Sequence, residues 1–370
     1  MAATGVDSLL DFEVHITTQC NLACEFCAAD IIRGKRSIEI DIHAITKLID
    51  DAYSQGNRRI TFSGGEPLLA RNLFDILSYA IDKGFLVNVS TNGTLVDDDY
   101  IRFVADKKIG TRISLHTLDP VKFADIAKRD DLDQVTAAVD RLRDGHSYYS
   151  LTATVYDKNV DDIPSLGQYA LDNVANSIRF TPVYPCNLGK QWAATGPLIL
   201  RMIHDIASLA ITMYDDLEVT CEHATETIVD IMTTRRCVAD EDRFSIITAG
   251  GSNRACPFYP NAEELATVQG IIDSAAVCKT CDYAPVCQGG CKALNNWEQG
   301  TSDFLCMREI VHAAIEDFTP EEKQKLYRYW QGLYAEYSYA EDFRLGCVRK
   351  LPIWELVFNR AAVRRARYGG

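Results

Sequence analysis

The 370-residue sequence contains no run of about eighteen consecutive apolar residues, the length a membrane-crossing helix needs. Residues 1–13 lack both the cationic start and the apolar stretch of a signal peptide. Positive charge is short as well. The 38 Lys and Arg against 52 Asp and Glu leave a formal charge of −14, too acidic for a protein that must neutralise many phosphates. These absences predict a cytoplasmic protein with neither membrane nor nucleic acid as its partner. With 47% hydrophobic residues the chain also lacks the composition of a disordered one. Its length predicts about two to three domains with real cores. Cysteine, by contrast, is plentiful, at 13 residues. In a reducing compartment a disulfide framework explains them poorly, and an odd count points to metal, catalysis or buried thiols.

The first half of the chain alternates strand-like and helix-like segments. The predicted strands are Glu13–Thr17, Arg59–Ser63, Leu86–Ser90, Gly110–Leu115, Leu151–Val155 and Ser177–Val183. Helical patterns lie between them at Asp41–Gln55, Asn72–Lys83, Asp97–Lys107, Val121–Leu142 and Asp161–Asp172. Short β-rich runs separated by helices of about ten or more residues imply a parallel sheet with right-handed crossovers. Six such units make an α/β fold of the partial (β/α)6, TIM-like kind, and chemistry in such barrels sits at the carboxyl ends of the strands. Beyond Pro197, Leu198–Met213 and Glu222–Thr234 read as helices, and Phe244–Thr248 with Gly250-Gly251 as a short hairpin. From Cys237 to Cys306 the chain is rich in Cys and Gly with little periodicity, and helical, aromatic-rich sequence follows. The expected division is therefore a barrel over 1–200, a helical bridge over 201–236, a cysteine-rich domain over 237–306 and a helical extension with a basic tail over 307–370.

Cys20, Cys24 and Cys27 follow the first strand with CxxxCxxC spacing, which places three thiols on one tight loop. A 4Fe–4S cube takes four ligands, usually thiolates, so three local cysteines leave one iron open, the mark of a catalytic rather than a structural site. The competing readings are a zinc knuckle, for which His15 is the one near candidate as fourth ligand, or incidental buried thiols.

With Phe26 just before the third cysteine, this loop resembles that of the radical S-adenosylmethionine (SAM) enzymes. Ser63-Gly64-Gly65-Glu66-Pro67 ends the second strand where that family carries its GGEP motif, Ser90-Thr91-Asn92-Gly93 ends the third, and Ser114-Leu115-His116 ends the fourth. The resemblance covers roughly the first 190 residues. It implies that the open iron is chelated by the amino and carboxylate groups of SAM. Gly64, Gly65, Glu66 and Pro67 would then lie at the SAM amino group, with Ser90 and Asn92 also in the cofactor site. One electron would break a carbon–sulfur bond, and the resulting 5′-deoxyadenosyl radical would take hydrogen from an unactivated carbon. Many members have Asp after the fourth-strand Ser, where this chain has His116, with Asp119 three residues on. Ser114 is carried over to the SAM carboxylate or ribose, Arg129 to the carboxylate, and His116 either to ribose or substrate or to a purely structural role.

A second array occupies the C-terminal half: Cys278 and Cys281, then Cys287, Cys291 and Cys306, preceded by Cys237, Gly251 and Cys256. Its order and spacing resemble the seven-cysteine SPASM extension of radical SAM enzymes; a zinc ribbon is the alternative. The resemblance implies three 4Fe–4S clusters in all. Cys278, Cys281, Cys287 and Cys306 would hold an outer auxiliary cluster, and Cys237, Cys256 and Cys291 an inner one. The fourth inner ligand is Cys221, or that iron is open to substrate. Cys186, just after the sixth strand, is a candidate hydrogen-atom donor to a substrate radical, or a buried thiol, as free cysteines commonly are. Cys347 has the same two readings.

The resemblance implies a radical SAM oxidoreductase that modifies a ribosomal peptide or protein. The alternative is dehydrogenation, epimerisation or decarboxylation of a small metabolite such as an aminosugar or nucleoside. A third class is an iron–sulfur or zinc protein without turnover. A one-electron donor such as flavodoxin or ferredoxin is expected. Too few residues precede Glu13 to form an N-terminal peptide-recognition domain, so a separate recognition protein is expected for a peptide substrate. Late aromatics such as Tyr327, Tyr329 and Trp330 are expected to form a packing surface against the barrel or cluster domain.

Overall fold

The computed structural model describes residues 11–29, 37–184, 187–213, 216–221, 244–250, 253–254, 279 and 307–330. The strands are β1 (Asp11–Thr17), β2 (Arg59–Gly64), β3 (Leu86–Thr91), β4 (Gly110–Ser114), β5 (Tyr149–Val155), β6 (Ser177–Pro182), β7 (Glu218–Cys221), β8 (Phe244–Ile247) and β9 (Asn253–Arg254). They form one sheet in the order β7-β6-β5-β4-β3-β2-β1-β8-β9. Neighbours run parallel except β8 and β9, which are antiparallel. Helices α1 (Ile42–Ser54), α2 (Leu73–Asp82), α3 (Asp98–Lys107), α4 (Pro120–Ala127), α5 (Leu132–Asp144), α6 (Ile163–Asp172) and α7 (Gly196–Met213) follow successive strands. Helices α8 (Met307–Ala314) and α9 (320–330) come after the sheet.

Strand alternation divides the sheet into two unlike faces. Val14, Ile16, Phe62, Val89, Ile113 and Phe180 are fully buried on the helix-covered face. Burying side chains of this size stabilises the fold by about 1.5–3 kcal/mol each. The intervening residues, among them Glu13, His15, Thr61, Ser90, Arg112, Ser114 and Thr152, are half-buried on the inner face. His15 stands opposite Ser63, and farther round Ser90, Arg112, Ser150, Ser177 and Glu218 follow one another in register. A polar inner wall is what keeps a half-barrel open to solutes instead of packed.

Helix starts follow local chemistry. The Asp41 carboxylate accepts the His43 and Ala44 amides of α1, Asp97 accepts the Tyr100 amide at 2.8 Å, and Asp119 caps α4 with Pro120 in its first turn. The single helix expected over Val121–Leu142 is in fact α4 and α5. Lys128 turns left-handed at φ 59°, and Asp131 opens the second helix.

The barrel also runs one unit beyond the expected six. Strand β7, of four residues, joins β6, and the Phe244–Ile247 half of the expected hairpin pairs parallel with β1 as well as antiparallel with β9. Tyr329 and Trp330 seat on the β7 edge. The Val219 N–H donates to Tyr329 Oη at 2.8 Å, Tyr329 donates to the Leu217 carbonyl at 3.2 Å, and Trp330 Nε1 donates to the Val219 carbonyl at 3.2 Å. The late aromatics thus pair an exposed strand edge. Helix α7, at 18 residues, is long and apolar enough to cross a membrane, against the expectation that no segment is. Its composition is that of a core helix: Met202, Ile203, Ile206 and Ala210 are buried while Arg201 and Asp205 form an ion pair on its outer side.

Candidate functional site

The loop 18–29 leaves β1 at the carboxyl end of the sheet and is held from three sides. Gly65 donates its N–H to the Thr17 carbonyl and Glu66 to the Gln19 carbonyl, both at 2.7 Å. The Ala23 and Glu25 amides donate to the Ala127 and Ile126 carbonyls at the end of α4, at 2.9 and 3.1 Å. Asn187, in the turn after β6, donates to the Ala28 carbonyl at 2.6 Å.

The two glycines follow from this crowding. A Cβ on Gly65 would stand 2.1 Å from the Gln19 carbonyl oxygen, and one on Gly64, whose φ is 128°, would stand 2.5 Å from that of Thr17. Only glycine lets the second loop lie against the first.

Glu66 is fully buried and faces the protein. Its carboxylate accepts the Thr91 hydroxyl at 2.6 Å, the Asn92 amide at 2.7 Å and the Leu68 amide at 3.1 Å. Burial pushes its carboxyl up to about 7, against the opposing pull of those three donors. Its place is that of a girder between the loops after β2 and β3, with Pro67 opening the short turn that it caps.

Asn92 extends the link to the cysteine loop: Nδ2 donates to Asn21 Oδ1 at 2.8 Å and lies 3.9 Å from Cys20 Sγ, while Asn21 donates to Thr94 Oγ1 at 2.7 Å. Ser90 and Ser114 stand on the inner face, Ser114 opposite Thr152. Arg129, in the turn after α4 beside the cysteine loop, pairs through Nε with Asp131 at 2.6 Å.

Rings stack edge-on through the site. Phe26 meets His116 at 4.9 Å and Tyr156 at 5.3 Å, and Tyr156 meets Trp192 at 5.5 Å. His116 Nδ1 accepts the Thr154 amide at 3.0 Å, and burial lowers its pKa to about 4, so the ring is neutral at pH 7. Nε2 is left to other partners. Glu25, between Cys24 and Cys27, accepts the Tyr156 hydroxyl and pairs with Lys158 at 2.7 Å and Lys128 at 3.1 Å. Burial opposes ionisation of Glu25, but those contacts outweigh it and hold its carboxyl below the usual range.

Cys20, Cys24 and Cys27 are all half-exposed and outside any disulfide. No trio of His, Cys, Asp or Glu among the described residues converges on a point, as a single-ion site requires. In a four-iron cube each thiolate binds its own iron, so the ligands stand apart. Three soft thiols on a loop braced at three points fit such a cluster. Cys221 is buried on the helix-covered face of β7 with Val219, opposite Phe180 of β6, in a packing position rather than at the inner wall. Cys186, Cys237, Cys256, Cys278, Cys281, Cys287, Cys291, Cys306 and Cys347 lie outside the described residues, as do Gly251 and the helix expected at Glu222–Thr234.

Motif reading passed over Glu13, Asn21, Glu25, Thr94, Tyr156 and Lys158. The one available signal was a polar residue at every second position of β1.

The family model for the Radical SAM superfamily matches residues 14–169. Among sequence relatives, a GTP 3′,8-cyclase of Chlorobaculum tepidum is 29% identical, over 58% of this chain and 64% of its own length. An Fe-coproporphyrin III synthase of Methanosarcina barkeri is 31% identical, over 41% of this chain and 38% of its own. The chain thus spans less than two thirds of each. Among solved structures, anSMEcpe with bound AdoMet aligns at a TM-score of 0.66 and 15% identity, covering 86% of this chain and 99% of that one. Streptococcus suis SuiB bound to S-adenosylmethionine aligns at 0.62 and 15%, covering 77% and 73%. That likeness is one of fold. Residues 14–169, which carry the three-cysteine loop and the glycine pair that braces it, are similar to the Radical SAM superfamily.

Proposed function

We propose that this enzyme is a radical SAM oxidoreductase with two auxiliary 4Fe–4S clusters that modifies a ribosomal peptide or protein. The observation that carries the reading is the ordered array Cys237, Gly251, Cys256, Cys278, Cys281, Cys287, Cys291 and Cys306, behind a barrel whose first loop bears three more cysteines. When bound, cluster and SAM supply a 5′-deoxyadenosyl radical that takes hydrogen from an unactivated carbon. The residues of this chain hold that chemistry in place. Cys20, Cys24 and Cys27 would bind the cluster, Gly64 and Gly65 let the second loop approach it, and Glu66 with Asn92 fixes the two loops together. SuiB has been solved with its precursor peptide SuiA and anSMEcpe with Cp18Cys peptide, which favours a peptide for this chain as well.

A second reading, a small metabolite with a nucleotide as the leading class, is favoured by the GTP 3′,8-cyclases among the sequence relatives. In either case a one-electron donor and a cytoplasmic setting are part of the proposal, and for a peptide a separate recognition protein.

Anaerobic reconstitution with iron and sulfide tests the core of it. Three clusters require about twelve irons per chain, and a single SAM cluster about four. With dithionite and SAM, 5′-deoxyadenosine is expected, and its absence with Cys20, Cys24 and Cys27 intact would overturn the enzymatic reading. Faster release of 5′-deoxyadenosine with a peptide encoded beside this gene supports the first reading; faster release with GTP supports the second.

A further inference from the structure

Radical chemistry at one carbon commonly leaves a proton to be removed from a neighbouring hydroxyl or amine, and the motif residues offer no base for it. Glu66 is buried among its donors, and the His116 ring has Nδ1 occupied. The inner wall of β1 holds a different group. His15 Nε2 stands 3.3 Å from Glu13 Oε1, and the same oxygen accepts the Ser63 hydroxyl at 2.5 Å. Burial opposes ionisation of Glu13, yet those two contacts and the Arg112 charge across the sheet outweigh it and keep the carboxyl below its usual range. A carboxylate that accepts from Nε2 fixes the imidazole in the Nε2–H tautomer and leaves Nδ1 as a lone-pair acceptor. Among the described residues Nδ1 has no partner. His15 lines a cavity of about 170 Å³ with Thr17, Gly64, Gly65, Thr248 and Gly250, at the carboxyl ends of β1, β2 and β8. Ser63 of β2 stands opposite His15 in register, Thr248 beyond β8 lines the same cavity, Glu13 is the charged group against the ring, and the Arg112 charge acts on that carboxylate.

We propose that His15, positioned by Glu13, is the proton acceptor for a hydroxyl or amine group of the substrate seated in this cavity. The inference rests on the reading of the chain as a radical SAM enzyme with its substrate in the half-barrel. In the step, the substrate O–H or N–H bond breaks, an Nδ1–H bond forms, the electron pair stays on the substrate heteroatom, and the new imidazolium faces the Glu13 carboxylate. The same carboxylate disfavours an anion on this wall, so the group held here is a donor and not a phosphate.

Diethyl pyrocarbonate, which acylates neutral and accessible imidazole nitrogen, tests this on the full-length reconstituted protein, with peptide mass spectrometry locating the adduct. His15 should be modified at least tenfold faster than His116 at a single pH. In Glu13→Gln the ring loses the carboxylate that holds Nε2 and makes Nδ1 the nucleophilic nitrogen, so the His15 rate should fall at least severalfold; Glu13→Asp, which keeps the carboxylate, should retain part of the wild-type rate. An unmodified His15, or a rate that Glu13→Gln does not change, overturns the proposal. Release of 5′-deoxyadenosine by the wild-type protein is measured on the same sample. Labelling failure with SAM cleavage intact removes only the His15 assignment, whereas normal labelling without SAM cleavage removes the enzymatic reading beneath it.

Discussion

The Glu66 carboxylate accepts the backbone N–H of Asn92 at 2.7 Å, and through that contact the glycine-bearing loop after β2 and the loop after β3 become one rigid unit. Two motifs that lie apart in sequence are therefore a single object in space, and the Asn92 side chain carries the connection on to Asn21 in the cysteine loop.

This contact predicts a pH effect on stability. The Glu66 carboxyl is raised from 4.5 to about 7 in the folded protein, so between those values the native state holds a proton that the unfolded chain has released. Its contribution is fully present below about pH 4.5 and is lost as pH rises to about 7, by up to about 3 kcal/mol. Glu66→Gln should flatten that part of the profile. It should also cost about 1–3 kcal/mol at low pH, because an amide cannot accept from both sides. Urea denaturation between pH 4.5 and 7.5 measures both effects, and a Glu66→Gln profile parallel to wild type refutes the first.

Gly65→Ala should damage the site more than its small volume suggests, because its Cβ would meet backbone and not a movable side chain. Overpacking of this kind costs about 1–3 kcal/mol. Iron retained after reconstitution should fall at least severalfold, read from the charge-transfer absorbance of the cluster. Wild-type iron content in Gly65→Ala would mean that the two loops are free to separate.

Cys221 offers a test of cluster ligation. From its packed position on β7, Cys221→Ala should leave iron per chain unchanged and cost about 1 kcal/mol in a urea titration through lost burial. Cys20→Ala should remove about four irons. A loss of iron in Cys221→Ala would assign the thiol as fourth ligand of the inner auxiliary cluster.

The β7 edge predicts a third stability effect. Tyr329→Phe deletes the hydroxyl that accepts from Val219 and donates to Leu217, leaving an amide in need of a partner, at a cost of about 1–3 kcal/mol. The urea midpoint should drop accordingly while iron binding in the first loop is retained.

Much of the barrel could be read directly, because six strands separated by helices announce themselves through two different periods. β2, β3 and β6 begin at the expected residues. β7 escaped notice because four residues carry too little alternation to stand out. β8 was expected as half of a hairpin, but its pairing with β1 was not, because β1 lies more than two hundred residues upstream. The break between α4 and α5 rests on Lys128 adopting a left-handed conformation, which a lysine rarely signals. In the site, cysteine spacing and the glycine pair were legible because their chemistry demands those residue types. The inward turn of Glu66 was not, since a motif gives a residue's place and not its direction. Glu13 and His15 look like any polar residues on a half-buried strand until the register brings Ser63 beside them.

Parallel pairing of β8 with β1 has a consequence for how the chain comes to be assembled. As it emerges from the ribosome, β1 can pair with β2, and its last residues with the bridge at Glu39, but among the described residues the other side of Asp11–Val14 gains its strand partner only when residues 244–247 are made. A cluster loaded during that interval would enter a site whose wall at Thr248–Gly250 does not yet exist.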